Sequence, residues 1–114
     1  MARWTIKNVK MAGVAAAVPK NVVKTTDFDF FTSEEAETFN NTVGIKARHL
    51  GPDTMCASDM CQVAAERLLA DLGWEKESID VLIFESVTGD YKTPPTSCIL
   101  QDRLGLTDNC FCMD

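Results

Sequence analysis

The chain has 114 residues and a net charge of -6, with 46% hydrophobic and 25% charged residues. This composition is typical of a globular protein and excludes a disordered or fibrous one. The acidic balance, with no run of Lys and Arg, argues against a nucleic-acid partner, because phosphate contacts need clustered cations. No apolar stretch reaches the roughly 20 residues of a membrane span, and the opening MARWTIKNVK lacks a signal peptide's apolar core. We therefore expect a single cytoplasmic domain, or part of one, over residues 1–114.

Five cysteines lie at positions 56, 61, 98, 110 and 112, an odd number without the C-x-x-C or histidine spacing of a metal site. His49 is the only histidine and has no companion at ligand spacing. Cys110 and Cys112 flank Phe111 and would share one face of a strand. We expect reduced thiols that serve as small core residues, and neither a metal site nor a disulfide framework.

The first predicted element is a strand over Ile6–Ala15, followed by a short turn, KNVVKTT. Thr32 and Glu35 have the spacing of a capping box, which predicts a helix over Ser33–Asn40. The next segment, GIKARHLGP, mixes basic and apolar residues and is typical of an exposed strand or loop.

Lys46, Arg48 and His49 form the only basic cluster of this acidic chain. Two interpretations remain open from the residues alone. The cluster is either a solvated edge with a structural arginine or an anion contact.

The strongest helical pattern covers Ser58–Leu72, with Ser58 as the predicted N-cap and Gly73 as the stop. Its apolar residues recur on one helical face. A short apolar run, Val81–Phe84, follows and predicts a strand buried on both faces, as in a parallel sheet covered by helices.

A second helix and strand follow this central strand. Thr93 is the predicted cap, Pro94 the first helical residue and Gly105 the stop, and the last strand is predicted over Cys110–Met113. The alternation predicts an α/β fold in a single domain. Ligands of open α/β sheets gather beyond the carboxyl ends of the strands. The chemistry should therefore lie near Glu85 to Thr93 and near whatever follows Asp114.

Several segments in order resemble the N-terminal part of beta-ketoacyl-ACP synthase III, a condensing enzyme of the thiolase superfamily. They are GVAAAVPKNVV, TSEE, GIKARH, SDMCQVAAERLLADLGW, IDVLIFESVTGDYKTPPTSCILQDRLGL and CFCMD. The resemblance implies a layered α-β-α-β-α fold of two related halves, of which this chain is most of the first.

The resemblance also implies a chemistry. A cysteine at a helix N-terminus takes an acyl group from acyl-CoA, because the helix dipole favours the thiolate. A His and an Asn of the second half then promote condensation with malonyl-ACP, with no further cofactor. All three positions would lie beyond Asp114, so we expect an N-terminal portion that is inactive alone. Cys112 precedes the Asp that the family places before its nucleophile, so none of the five cysteines is the expected nucleophile.

Three residues are the candidate substrate contacts. Thr32 matches the family's Thr at the CoA adenine, whereas the Trp of the same motif falls on Ala36, and Phe39 is the candidate replacement stacking surface. Thr93 stands where the family often has a bulky residue that closes the partner subunit's acyl pocket, which leaves room for a longer chain. Arg48 is the candidate anion contact.

The family's arginine shortly before the Gly-Ile pair, which contacts a CoA phosphate, is matched here by Thr42. The resemblance further implies an acyl carrier protein as partner and a homodimer paired through the strand near Cys110 to Met113.

Two alternative functions remain. One is a non-catalytic interaction module that keeps half of the fold and dimerises through its last strand. The other is a related synthase of the hydroxymethylglutaryl-CoA type, which needs a catalytic Glu near the end of the central strand. Glu85 is close to that place, but an ungapped comparison puts the role nearer Val87.

Overall fold

The computed structural model describes residues 3–114, which form an α/β arrangement of four short strands and three helices. Single 3₁₀ turns lie at Thr25–Asp27 and Lys76–Ser78. The elements are β1 (Val22–Lys24), α1 (Ser33–Val43), β2 (Ala47–His49), α2 (Ala57–Leu72), β3 (Val81–Ile83), α3 (Thr96–Leu104) and β4 (Phe111–Met113).

β1 and β2 pair antiparallel, with Val23 opposite Arg48, and α1 lies in the connection between them. The extended segment around Arg48 was predicted as a strand or loop and is strand β2. The segment predicted as a turn, KNVVKTT, instead contains β1. Its two valines are β-branched and have a neighbouring strand to bond, which explains the difference.

β3 and β4 pair parallel, with Leu82 opposite Cys112, and α3 connects them as the helix of a β-α-β unit. The core lies where α3 meets this sheet. Its buried members are Leu104, Leu106 and Cys110, and the half-buried Ala65, Ile79, Leu82 and Cys112 pack against them. The alternation confirms that Cys110 and Cys112 point to one side of β4.

The prediction that the central strand is buried on both faces is wrong for this structure. Leu82 and Phe84 face the core, whereas Val81 and Ile83 are 53% and 64% exposed. Phe111 and Met113 on β4 continue this exposed face, at 61% and 43%. The reason is that α2 and α3 contribute to a core on only one side of the sheet.

The capping box predicted for the first long helix is confirmed. Thr32 is the N-cap of α1, and its hydroxyl accepts from the Glu35 N–H. The helix runs to Val43, three residues beyond the predicted end at Asn40, because Gly44 with φ 80° provides the left-handed C-cap.

The helix predicted over Ser58–Leu72 is confirmed within one residue at its start. Its N-cap is Cys56 rather than Ser58, because the Cys56 N–H donates to the Asp59 carboxylate at 2.8 Å. Ser58 instead lies inside the first turn and is fully buried. Gly73, with φ 63°, ends the helix as predicted.

The helix after β3 begins later than the sequence predicts. Its N-cap is Pro95 and its first residue is Thr96, so Thr93 and Pro94 lie in the preceding loop. The first N–H groups of α3 are bonded by the distant carboxylate of Asp114, a partner that no local pattern reveals. Gly105 ends the helix as predicted.

The predicted strand Ile6–Ala15 is absent from the structure, where residues 3–20 form no ladder. Its side chains still alternate towards its end, with Ala15 and Ala17 half-buried and Val14 and Val18 exposed. Gly13 lies against α2, since a Cβ there would come within 2.9 Å of Leu68. The sequence is strand-like, but among the described residues no neighbouring strand completes its hydrogen bonds.

The chain is expanded for its length. Its radius of gyration is 18.3 Å, against about 13 Å expected of a compact domain of this size. Its accessible surface is 9353 Å², against about 6,200 Å² expected from the mass. The excess is comparable to an extensive protein–protein interface. Large hydrophobic side chains such as Trp4, Met11 and Phe30 are among the exposed residues.

Candidate functional site

An open pocket of about 600 Å³ lies along one side of α1. Two phenylalanines line it, with ring centroids 5.4 Å apart. Phe30 and Phe28 extend this aromatic cluster outward from Phe31, at 4.6 Å and 5.2 Å between successive centroids. The pocket lining comprises Phe31, Thr32, Glu34, Glu35, Thr38, Phe39, Thr42 and Val43.

Thr32 lies at the N-terminal end of this pocket and is held by the capping box. Its hydroxyl donates to the Glu35 carboxylate at 2.8 Å and accepts from the Glu35 N–H at 3.3 Å. Hydrogen bonds from the Thr32 main-chain N–H and hydroxyl lower the pKa of Glu35. A threonine hydroxyl has two lone pairs, so Thr32 can accept one further hydrogen bond, from a ligand N–H.

Ala36 and Phe39 have opposite surroundings on α1. Ala36 is 1% exposed, so its position offers no surface on which a ring could stack. Phe39 lines the pocket beside Phe31 and Thr32. The structure thus brings two of the sequence-derived candidates, Thr32 and Phe39, to one pocket, with Phe31 as an aromatic neighbour that the sequence did not single out.

Arg48 lies on β2 and does not line the α1 pocket. Its guanidinium carbon lies 5.2 Å from the centre of the Phe28 ring, a cation–π arrangement. No carboxylate of residues 3–114 forms an ion pair with it. Within the basic cluster, Arg48 is half-buried, whereas Lys46 and His49 are exposed. The His49 Nδ1 instead hydrogen-bonds the Pro19 carbonyl at 2.6 Å.

Thr93 lies in an exposed loop, residues 91–95, between β3 and α3. The ends of the loop are joined, since the Asp90 N–H donates to the Thr96 hydroxyl at 3.1 Å. Thr96 is fully buried and Tyr91 is 66% exposed, so the loop projects from a buried base. Like Arg48, Thr93 does not line the α1 pocket.

A polar network, which the sequence analysis missed, anchors that base on α2. The Ser58 hydroxyl donates to the Asp90 carboxylate at 2.5 Å and accepts from Arg103 at 3.1 Å. Arg103 also bonds the Asp59 carboxylate at 3.1 Å. The signal in the sequence was a serine beside the apolar face of a predicted helix, which we interpreted as a cap.

The carboxylate of Asp114 lies at the N-terminus of α3. It accepts from the N–H groups of Thr96 and Ser97 at 2.7 Å and 2.8 Å. Hydrogen bonds from Ser97 and Thr96 lower the pKa of Asp114, and the positive end of the helix dipole favours the same charge. The end of β4 is thereby attached to the base of the Thr93 loop.

All five cysteines are free thiols. Cys56, Cys61 and Cys98 are exposed, whereas Cys110 is buried and Cys112 is half-buried. Burial, followed by the neighbouring Cys110 and Cys98 thiols, raises the pKa of Cys112 to about 11. In the described residues, no three His, Cys, Asp or Glu side chains group together as a metal site would require. None of the described helices is long and apolar enough to cross a membrane.

No protein-family model matches the chain. Individual proteins do match it, over most of its length. It is 36% identical over 100 residues to beta-ketoacyl-[acyl-carrier-protein] synthase III of Clostridium perfringens. This alignment covers 88% of this chain and 31% of that protein. It is 34% identical over 98 residues to the synthase of the same name from Staphylococcus aureus, covering 86% and 31%. The chain is similar to the N-terminal part of beta-ketoacyl-ACP synthase III.

Solved structures agree with this similarity. The 3-oxoacyl-(acyl-carrier protein) synthase of Burkholderia xenovorans superposes with a TM-score of 0.83 at 35% identity, over 90% of this chain and 30% of that one. OleA of Xanthomonas campestris, solved with cerulenin, superposes with a TM-score of 0.82 at 28% identity, over 95% and 33%. The fold is therefore the thiolase-like layered α/β fold, of which this chain is most of the first half.

The chain spans about a third of the length of these synthases. The β3–β4 sheet leaves one face exposed in the described residues. In a complete layered fold, such faces are covered by further layers of helix and sheet. The family resemblance read from the sequence motifs is confirmed.

Proposed function

We propose that the chain is the N-terminal portion of a condensing enzyme like beta-ketoacyl-ACP synthase III, over residues 1–114. The complete enzyme transfers an acyl group from acyl-CoA to an active-site cysteine and condenses it with malonyl-ACP, in fatty acid or related biosynthesis. The observation that carries this proposal is the joint similarity of sequence and fold to synthases of that name.

We place the nucleophilic cysteine, and the His and Asn that assist it, outside the residues of this chain, which alone would be inactive. Cys110 and Cys112 are sheltered in the core, and the raised pKa of Cys112 disfavours its thiolate. Cys56 and Cys98 lie near the N-termini of α2 and α3, but carboxylates of Asp59 and Asp114 already occupy those helix ends. An anion there opposes the dipole that would otherwise favour a thiolate.

The α1 pocket is the proposed site of the CoA adenine. Thr32 offers one free lone pair, which suits an exocyclic amino group, and Phe39 offers a ring face on which a base can stack. Ala36, at the family's Trp position, is buried and offers neither. Phe31 and Phe39 together would therefore replace the missing tryptophan.

Arg48 and Thr93 are the other proposed substrate contacts. Arg48 presents a guanidinium without a carboxylate partner in residues 3–114, which suits a phosphate or carboxylate of the substrate. Thr93 projects in an exposed loop with a small side chain, which supports a role in shaping an acyl pocket of the partner subunit for a longer chain.

The proposed partners are an acyl carrier protein and a second copy of the enzyme. We propose that the copies pair through the strand near Cys110 to Met113, because β4 has only β3 as a hydrogen-bonded neighbour in the described residues. An open apolar strand edge favours such pairing. We propose a cytoplasmic location and no cofactor, nucleic acid or membrane.

Two alternatives make different predictions. A non-catalytic module that dimerises through β4 is favoured by the same open edge and would need no nucleophile. A synthase of the hydroxymethylglutaryl-CoA type would use a strand-end carboxylate, and Glu85 is exposed after β3. No hydrogen bond of the described residues orients Glu85 for that role.

The test is an assay of the complete gene product with acyl-CoA and malonyl-ACP, with β-ketoacyl-ACP detected by mass spectrometry. We expect product that requires both substrates. A folded dimer that gives no product with any acyl-CoA would instead support the interaction module. Condensation of acetyl-CoA with acetoacetyl-CoA would support the hydroxymethylglutaryl-CoA synthase.

A further inference from the structure

We propose that Ser58, Asp90 and Thr96 are positioning residues that clamp the base of the 91–95 loop and so fix the acyl selectivity exerted by Thr93. This inference rests on the proposed function for its substrate, whereas the clamp itself is a property of the described contacts.

The first side of the clamp attaches Asp90 to α2. Arg103 can only donate, so the Ser58 hydroxyl must accept from it, and the single Ser58 proton then points to the Asp90 carboxylate. The order of donors is therefore fixed as Arg103, Ser58, Asp90. Ser58 is fully buried, where an unmade hydrogen bond is costly.

The second side of the clamp attaches Thr96 to the end of β4. The Thr96 hydroxyl accepts from the Asp90 N–H at 3.1 Å, and the Thr96 N–H donates to Asp114 at 2.7 Å. An added Cβ at Gly89 would lie 3.1 Å from that hydroxyl, so the base is closely packed. Thr96 thus joins both ends of the loop to Asp114, at the end of β4. The proposed nucleophile follows that strand.

Between these two attachments, the hydrogen bonds of the described residues hold only the Pro95 carbonyl, which accepts from the Cys98 and Ile99 N–H groups as α3 begins. Residues 91–95 are all exposed, and the hydrogen bonds of the clamp hold residues 90 and 96 on either side. When the hydrogen bonds that join the two ends of a five-residue loop are lost, the residues in the middle of the loop move. The position of Thr93 therefore depends on Ser58, Asp90 and Thr96, none of which needs to touch the substrate.

The experiment makes two comparisons in the complete gene product. Thr96→Val is compared with Thr96→Ser, and Ser58→Ala is compared with Ser78→Ala. Valine nearly matches threonine in volume but removes the hydroxyl, whereas serine keeps it. Ser78 is exposed and bonds only its local turn, at the Glu75 carbonyl, so Ser78→Ala controls for the loss of a serine hydroxyl away from the loop. A second attachment can be tested through Ser58→Ala if Thr96→Val does not fold.

Two readouts distinguish positioning from simple stability. We expect amide exchange at Asp90, whose N–H donates to the Thr96 hydroxyl, to rise by about tenfold or more in Thr96→Val and Ser58→Ala, and to stay unchanged in the Ser variant and the control. We expect the ratio of kcat/KM for long and short acyl-CoA to change about tenfold in the same two variants, because small displacements of a positioning group have such effects.

Unchanged exchange in both Thr96→Val and Ser58→Ala would overturn the clamp. Raised exchange with an unchanged chain-length ratio would overturn its role in selectivity. A wild-type protein without acyl transfer would contradict the proposed function, and the exchange data would then still support or overturn the clamp by themselves.

Discussion

The main-chain N–H of Thr96 donates to the carboxylate of Asp114 at 2.7 Å, and this bond joins the start of α3 to the end of β4. A charged acceptor at a helix N-terminus satisfies donors that the helix cannot pair itself. With the Ser97 N–H, which donates to the same carboxylate, this bond holds the end of β4 against the first turn of α3.

Asp114→Asn should lower the midpoint of thermal unfolding more at pH 7 than at pH 3. The folded state lowers the pKa of Asp114, so its contribution to stability is present above the ordinary carboxyl pKa and is lost as the pH falls below about 4. Thermal unfolding by circular dichroism at both pH values measures the difference. Asp53→Asn, at an exposed loop carboxylate, is the matched control. An equal loss at pH 3 and pH 7 would show that the charge has no part in it.

Cys112 should be alkylated far more slowly than Cys56, Cys61 or Cys98 at pH 8. A pKa of about 11 instead of 9.0 reduces its thiolate fraction on the order of a hundredfold, and burial limits access further. Timed iodoacetamide labelling with peptide mapping measures the order of reaction. Labelling of Cys112 before the three exposed thiols would contradict its half-buried position in the core.

The raised pKa of Cys112 also predicts that the free energy of unfolding falls at alkaline pH. Because its folded pKa is raised, its contribution is full below the unfolded pKa and declines as the pH rises through about 11. Cys112→Ala should remove part of the decline between pH 8 and pH 11, measured by urea unfolding. A decline identical in both proteins would assign it to other groups.

Leu104→Ala should destabilise the protein by about 2–5 kcal/mol, because a buried leucine is replaced by a cavity. Leu104 is 2% exposed and lies in the core between α3 and the β3–β4 sheet. Val63→Ala, at a position 59% exposed on α2, should cost less than about 0.5 kcal/mol. Urea unfolding of both variants provides the comparison. Equal costs would mean that the core lies elsewhere.

Phe39→Ala should raise the KM for acyl-CoA about tenfold in the complete enzyme, since stacking of a base on an aromatic ring contributes about 1–3 kcal/mol. Phe30→Ala is the control, because Phe30 belongs to the same aromatic cluster but does not line the α1 pocket. Equal effects of the two substitutions would place the adenine outside that pocket.

The long-period patterns of the sequence predicted α2 and the caps at Thr32, Gly73 and Gly105 well, because these depend on residues within a few positions of one another. The predicted start of α3 was wrong because the N–H groups of its first turn are bonded by Asp114, 18 positions further along than Thr96. The first strand was wrong because a ladder needs a neighbour, and the sequence shows only the propensity of one strand. Both errors concern features that depend on residues far away in the sequence.

The candidate site divides in the same way. Thr32 and Phe39 lie on one helix, so their common pocket follows from local spacing. The Ser58–Asp90 bond connects residues 32 positions apart. The sequence alone does not distinguish a serine buried inside a helix from a serine that caps it. The resemblance to a family supplied the chemistry that spacing alone did not.

The proposed enzyme is tested most directly by mass-spectrometric mapping of the acyl-enzyme formed when the complete gene product is mixed with an acyl-CoA. We expect one acyl adduct, on a cysteine that follows Asp114 in the chain, with Cys56, Cys61, Cys98, Cys110 and Cys112 unmodified. An adduct on any of those five cysteines, or a folded protein with no adduct at all, would contradict the proposal.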